Sequence, residues 1–203
     1  MRKEYIRIGI YGGSFDPVHN GHINAAKTFM KELSLDKIII VPAYCSPFKK
    51  GLAVTPSQHR LNMCNIAFGA LPDFEVSNIE ILREDEGYMS DTIAEIREIY
   101  PKDELFLLLG GDQLLIFKKW HAWSKIADEA TVAAAARNWE EDSAMEAEAA
   151  VLRSMGASVI IVPIDVKEIS STDVREAVRR GDDISAMVPP GVAEYIWDNY
   201  LYY

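Results

Sequence analysis

Gly12-Gly13-Ser14-Phe15-Asp16-Pro17-Val18-His19-Asn20-Gly21-His22 is the stretch around which this chain is organised. Before it, Ile6-Arg7-Ile8-Gly9-Ile10-Tyr11 alternates apolar residues as a strand does. After it, Ile23, Ala26, Phe29, Met30 and Leu33 fall at helical spacing. The pattern predicts a strand, a tight glycine turn, and a helix carrying two histidines three apart. Glycines at a strand end let the backbone approach a ligand that a Cβ would block. A helix start supplies N–H groups and the positive end of a dipole, which suit phosphate.

Each of these features alone has a plain structural meaning. Two histidines at i and i+3 could ligate zinc, but zinc takes three or four ligands, and neither His59 nor His121 has a partner at ligand spacing. Eleven residues in this order carry more weight than any one of them.

Outward from that stretch, strands and helices alternate, which predicts an α/β fold. The expected form is a doubly wound, Rossmann-like parallel sheet with helices on both faces. Lys37 to Val41 is a continuous apolar strand stopped by Pro42. Ala43 to Pro56 is a loop, with Lys49 and Lys50 just past a strand's C-terminal end, where open α/β sheets bind ligands. Thr55 is placed to cap a helix with Pro56 at its first position; Leu61, Cys64, Ile66 and Phe68 form its buried side, and Arg60 reads as a structural ion-pair residue. Phe74-Glu75-Val76 is a short strand that Ile79-Glu80-Ile81 could join. Ser90 is a candidate cap for a helix running to Tyr100, with Asp91 and Thr92 also in capping roles.

Leu105 to Leu109 is a buried strand ending in Gly110-Gly111-Asp112. Asp112 either meets a substrate hydroxyl or caps a short helix over Gln113 to Phe117. Trp120 and Trp123 follow; an aromatic face beside a cleft can stack on a flat ring. Trp123 reads as core. Thr131 to Ala135 is a strand ending at Arg137, and Asn138 reads as the cap of a helix over Glu140 to Ser154. Val159-Ile160-Ile161-Val162 reads as a final central strand. Ile169-Ser170-Ser171-Thr172-Asp173-Val174-Arg175 then opens a helix with capping hydroxyls and an arginine, a second phosphate clamp. Arg179 and Arg180 read as solvated. Val188-Pro189-Pro190-Gly191 starts a final helix bearing Val192, Tyr195 and Ile196.

Composition narrows the function. The chain has 203 residues and is 49% hydrophobic, enough for one domain, residues 1–203. No apolar run approaches the ~20 residues of a membrane span. Met1-Arg2-Lys3-Glu4 leads directly into a strand, so no signal peptide is expected. Cys45 and Cys64 lack metal or redox spacing and read as free thiols in a reducing cytoplasm. The formal net charge of -10 argues against a nucleic-acid partner. It also means that a phosphate ligand must be met by local positive charge, not by the global field.

Gly13 to His22 resembles the signature of the nucleotidyltransferase superfamily, glycine-x-phenylalanine-aspartate-proline followed by His-x-x-His. Ile169 to Arg175 resembles its Ile-Ser-Ser-Thr-x-x-Arg motif. Above all the chain is similar to bacterial nicotinate-nucleotide adenylyltransferases, from end to end. That resemblance implies transfer of the adenylyl group of ATP to nicotinate mononucleotide. It implies His19 and His22 as catalytic residues at the phosphates. ATP would be held by Gly12, Gly13, Ser14, Phe15, His19, Gly21, His22, Ser170, Ser171, Thr172 and Arg175. The acceptor would be held by Lys49, Tyr88, Asp112 and Trp120. No protein metal site is implied; Mg²⁺ comes with ATP. Two positions depart from the family pattern: Phe48 stands for a histidine and Met89 for a threonine. Nicotinamide mononucleotide and phosphopantetheine are the alternative acceptors. A cytidylyltransferase would carry a different second motif. A nucleotide-binding regulator without catalysis is the reading of a different class. A homo-oligomer is compatible with the sequence, and neither a membrane nor a nucleic acid is expected as partner.

Overall fold

The structure, a computed structural model, describes residues 5–45, 54–84, 87–136, 139–164 and 169–203. The described residues hold six strands in one parallel sheet, ordered β3-β2-β1-β4-β5-β6. These are β1 (Arg7–Gly13), β2 (Lys37–Pro42), β3 (Phe74–Val76), β4 (Glu104–Gly110), β5 (Thr131–Ala136) and β6 (Val159–Pro163). This is the strand order of the Rossmann fold, with the reversal between β1 and β4. Those two strands pair in register from Arg7 opposite Glu104 to Ile10 opposite Leu107.

The strand sequences explain why the sheet is covered on both faces. Leu105 to Leu109 and Ile38 to Pro42 are buried at every position, not at alternate ones. So are the alanines of β5, weak strand formers that the flanking β4 and β6 hold in the ladder. The helices are α1 (Asn20–Glu32), α2 (Ser57–Phe68), α3 (Ile79–Arg83), α4 (Met89–Ile99), α5 (Gly111–Leu115), α6 (Trp123–Glu129), α7 (Trp139–Ser154), α8 (Ser171–Arg180) and α9 (Pro190–Asp198). None is long and apolar enough to cross a membrane among the described residues.

The chain divides into two compact units. One comprises residues 1–12, 28–39 and 88–165; the other comprises 13–27, 40–87 and 166–203. The first has its core around Ile8, Ile10, Phe29, Leu107 and Phe117. The second is built on Phe15, Val18, Ile40, Met63, Phe68, Val174 and Ile196.

Several local expectations are corrected. Ile79-Glu80-Ile81 is not a strand but the start of α3. Its buried member is Glu80, 1% exposed, whereas Leu82 is 74% exposed, so the alternation of apolar residues did not mark a sheet face. The N-cap position of α2 is Pro56 without a side-chain bond, so Thr55 does not cap it. Thr55 instead gives its N–H to Asp16 and its carbonyl to Arg60. Ile66 faces outward, and Arg60 and Met63 take the buried side with Leu61, Cys64 and Phe68. Helix α4 starts two residues earlier than a Ser90 cap implies. Ser90 is therefore inside it, Tyr88 holds the N-cap position, and the Thr92 hydroxyl donates backward to the Tyr88 carbonyl at 3.4 Å. Helix α5 starts at Gly111, so Asp112 lies in its first turn and makes no cap bond. Trp123 is half-buried, not core, with its ring edge on buried Phe117 at 6.1 Å. Strand β6 is not central but ends the sheet order, so its burial is incomplete and Ile160 is exposed. Arg137 and Asn138 lie outside the described residues.

Candidate active site

The second unit contains both signature motifs, and the structure joins them. Helix α1 begins at Asn20, three residues earlier than the apolar spacing suggests. His22 is thus in its first turn, and His19 immediately precedes it. The two imidazoles stack, with centroids 3.7 Å apart and an interplanar angle of 30°. Among the described residues no group of three or more His, Cys, Asp or Glu side chains is placed to hold a metal ion. The backbone N–H of His19 donates to Nδ1 of His22 at 3.2 Å. A neutral His22 ring therefore carries its proton on Nε2, which makes Nε2 a donor. His19 is only 6% exposed, and the Cβ that Gly21 lacks would lie 3.0 Å from its Nδ1. Gly21 thereby gives the His19 ring its place.

The turn between β1 and α1 is held from several sides. Arg175 Nη1 donates to the Asp16 carbonyl at 2.8 Å, and its Nη2 donates to the Thr172 hydroxyl at 3.1 Å. The Ser171 hydroxyl donates to the Pro17 carbonyl at 2.9 Å. Asn20 gives its N–H to the Met187 carbonyl and its side-chain amide to that of Ala186. One donor at the start of α1 is thus occupied by protein. The second motif therefore does more than offer a helix end: it fixes the backbone that carries the histidines. Its Ser170 forms a capping box with Asp173. The Ser170 hydroxyl accepts from the Asp173 N–H, and Asp173 accepts from the Ser170 N–H. The hydrogen bond from the Ser170 hydroxyl, then that from its N–H, holds the Asp173 carboxyl below the usual carboxylate range. The α8 start thus already carries an anion, so the positive charge of this clamp comes from Arg175 more than from the helix dipole.

A Cβ at Gly13 would sit 3.0 Å from the ring of Phe15, which itself is buried in a left-handed conformation with φ 47°. The Phe15 ring in turn meets the His22 ring edge-on at 5.0 Å. At Gly12 the missing Cβ leaves room for the Met89 methyl group. Both glycines thus make space for the protein's own side chains; Gly13 and Phe15 support His22 from behind.

Asp16, Arg60 and Tyr202 also belong to this centre, though the sequence reading placed none of them in the site. Arg60 is 2% exposed and donates to the carbonyls of Thr55, Ser14 and Tyr44 at 2.8, 2.7 and 3.0 Å. Its expected ion-pair role is therefore mainly a carbonyl-binding one. Burial lowers its guanidinium from the ordinary value, and the Asp16 carboxylate opposes that shift. Arg60→Met should cost about 3–5 kcal/mol of stability, because it leaves three backbone carbonyls without their donor and the buried Asp16 carboxylate without a nearby positive charge. Urea denaturation checks this. A sequence signal existed: a charged residue stands on the same α2 face as Leu61, Cys64 and Phe68. His59 is tied to α9 through the Tyr195 hydroxyl at 2.9 Å.

The acceptor residues expected from resemblance fall in the first unit, except Lys49, which with Phe48 lies outside the described residues. Tyr88, at the start of α4, stacks on His121 with centroids 4.3 Å apart. Trp120 follows a single 3-10 turn over Phe117–Lys119 and is half-buried against Phe117 at 5.6 Å. Asp112 is exposed and accepts from Gln113 at 2.8 Å. His121 was not expected beside Tyr88, and its stacking leaves no mark in the sequence.

The cytidylyltransferase-like family model matches residues 10–177, which include both motifs. This chain belongs to the cytidylyltransferase-like family. Within it, the chain is 38% identical over 204 residues to a protein of Thermoanaerobacter sp. named "Probable nicotinate-nucleotide adenylyltransferase", covering 100% of this chain and 96% of that one. A protein of the same name from Carboxydothermus hydrogenoformans is 34% identical, covering 97% of this chain and 98% of its own. The Plasmodium falciparum nicotinic acid mononucleotide adenylyltransferase has the same fold. Its complex with APC superposes with a TM-score of 0.76 at 20% identity, covering 98% of each chain. Its complex with NaAD gives 0.75.

Proposed function

We propose that this protein transfers the adenylyl group of ATP to nicotinate mononucleotide, releasing pyrophosphate and forming nicotinate adenine dinucleotide, a step of NAD biosynthesis. The observation that carries this reading is the second unit's joined motifs: stacked His19 and His22 at the start of α1, next to a loop whose carbonyls are held by Ser171 and Arg175. The acid form of the acceptor rests on the names of the full-length relatives. Residues 1–203 are taken as one nucleotidyltransferase domain, since β1 and β2 each run from one unit into the other. A cytoplasmic location is part of the same reading.

The acceptor phosphate has a second pKa of about 6, so near neutral pH it is already an anion. Its oxygen forms a bond to the α-phosphorus of ATP, and the bond from that phosphorus to the bridging oxygen breaks, with the electron pair leaving on pyrophosphate. No protein base has to remove a proton. What the chain supplies is position and charge stabilisation. His22 Nε2–H donates to phosphate oxygens as charge builds, with Nδ1 fixed by the His19 N–H. His19 does the same beside it. Arg175, with Lys49, holds the departing pyrophosphate. Ser170, Ser171, Thr172, Gly12, Gly13, Ser14, Phe15 and Gly21 shape the ATP site. Tyr88, Asp112 and Trp120 are assigned to the acceptor. Mg²⁺ accompanies the triphosphate as part of the substrate and supplies charge neutralisation there.

The test is pyrophosphate release from ATP and Mg²⁺ with nicotinate mononucleotide, nicotinamide mononucleotide, phosphopantetheine or no acceptor. Release should be fastest with nicotinate mononucleotide and absent without acceptor. Release only with phosphopantetheine would reject the acceptor assignment, and ATP binding with no release in any case would favour a regulator.

A further inference from the structure

Tyr202 lies four residues beyond α9 and has no place in either motif. Its backbone has φ 70°, a left-handed conformation that is a genuine outlier for a bulky aromatic residue. Tyr200, two residues earlier, has φ 51°. Such backbone persists only where the surroundings over-determine it. What holds Tyr202 is visible: its hydroxyl donates to Asp16 Oδ1 at 2.8 Å. The other Asp16 oxygen accepts from the Thr55 N–H at 3.4 Å. Asp16 is 5% exposed, so it has little water to replace either donor.

The same residue presents its carbonyl to Arg175 Nη1 at 2.8 Å. Side chain and carbonyl hang on one Cα, so orienting the carboxylate at both oxygens also orients the peptide that Arg175 grips. The neighbouring carbonyls are held in the same manner, Ser14 by Arg60 and Pro17 by Ser171. Of these fixings of the loop, Ser171 and Arg175 belong to the second motif, whereas Tyr202, Thr55 and Arg60 lie outside both motifs.

We propose that Tyr202 is a positioning residue for the phosphate end of the ATP site, acting through Asp16 on Arg175. Without its hydroxyl, the buried Asp16 carboxylate turns toward the guanidinium of Arg60. The Asp16 carbonyl then loses its aim, and Arg175 loses its fixed point. Tyr202 touches no substrate in this account. The proposal rests on the assignment of Arg175 to the ATP phosphates.

The experiment compares Tyr202→Phe, Arg175→Ala and the double variant, reading ATP affinity by calorimetry and kcat/KM for each substrate. Tyr202→Phe keeps the ring, so the fold should hold, with a melting temperature near that of the wild type. ATP affinity and kcat/KM for ATP should fall about tenfold, the size of one lost hydrogen bond in a charged network, with the acceptor's KM unchanged. Added to Arg175→Ala, the same change should cost nothing further, because its effect passes through Arg175. A merely structural role would weaken both substrates alike, or add its full loss to that of Arg175→Ala; either result overturns the proposal. If Arg175→Ala weakens ATP binding and Tyr202→Phe does not, the proposal fails and the Arg175 assignment stands. If Arg175→Ala leaves ATP binding intact, the assignment fails and the proposal with it. Calorimetry with ATP alone gives the single- and double-variant outcomes at Arg175 whichever acceptor the enzyme uses, and the kinetics show whether the acceptor is affected.

Discussion

His22→Ala is expected to lower kcat by about 10²–10³, the usual effect of removing one donor aimed at developing charge. The size follows from how completely the ring is prepared. Nδ1 is committed to the His19 N–H, Phe15 meets the ring at 5.0 Å, and His19 stacks on it at 3.7 Å. A donor that is already oriented need not reorganise as the transition state forms, so its loss appears in kcat more than in substrate binding. The KM for the acceptor should therefore change little. His22→Gln retains a side-chain N–H and should recover part of the lost rate. Steady-state kinetics for both variants, with thermal melting to confirm the fold, gives the answer. Unchanged turnover in His22→Ala would remove the phosphate-stabilising role.

The second large effect is expected at Arg175. Arg175→Ala should lower kcat/KM for ATP by about 10², because charge-assisted hydrogen bonds are roughly twice as strong as neutral ones and a phosphate would lose such a partner. Part of the loss comes through the loop, since the Asp16 carbonyl also loses its donor. Arg175→Lys separates the two contributions. Lysine keeps the charge but cannot bridge the Asp16 carbonyl, the Thr172 hydroxyl and a phosphate with one planar fork. It should restore well under half of the lost free energy. An Arg175→Lys variant with full activity would mean that charge alone matters at this position.

The sheet was legible in the sequence because its strands are long apolar runs with glycine or proline at their ends. β1, β2, β4 and β6 needed no tertiary information. β5 was placed by its position between helices, since Thr131 to Ala136 has little strand preference of its own. Ile79 to Arg83 misled because a five-residue helix and an alternating strand look alike over so short a span, and because the buried residue there is Glu80. Both motifs of the candidate site were legible, since their residue types and spacing are rare. Their mutual support was not: a hydrogen bond from Arg175 to the carbonyl of Asp16 uses an acceptor that every residue possesses. The same holds for Arg60, whose three acceptors are backbone carbonyls. The sequence reading gave Gly12 and Gly13 to backbone approach of a ligand; the side chains of Met89 and Phe15 beside them left no mark in the sequence. The substitution of methionine for the family's threonine at 89 thereby acquires a packing partner at the end of β1.

The most direct test follows the α-phosphorus of ATP. With ATP labelled at that atom, nicotinate mononucleotide and Mg²⁺, the label should pass into nicotinate adenine dinucleotide, while a label at the γ-position should leave in pyrophosphate. An α-label that stays in ADP, or a γ-label that appears on the acceptor or as free phosphate, would mean attack at a different phosphorus and would contradict adenylyl transfer.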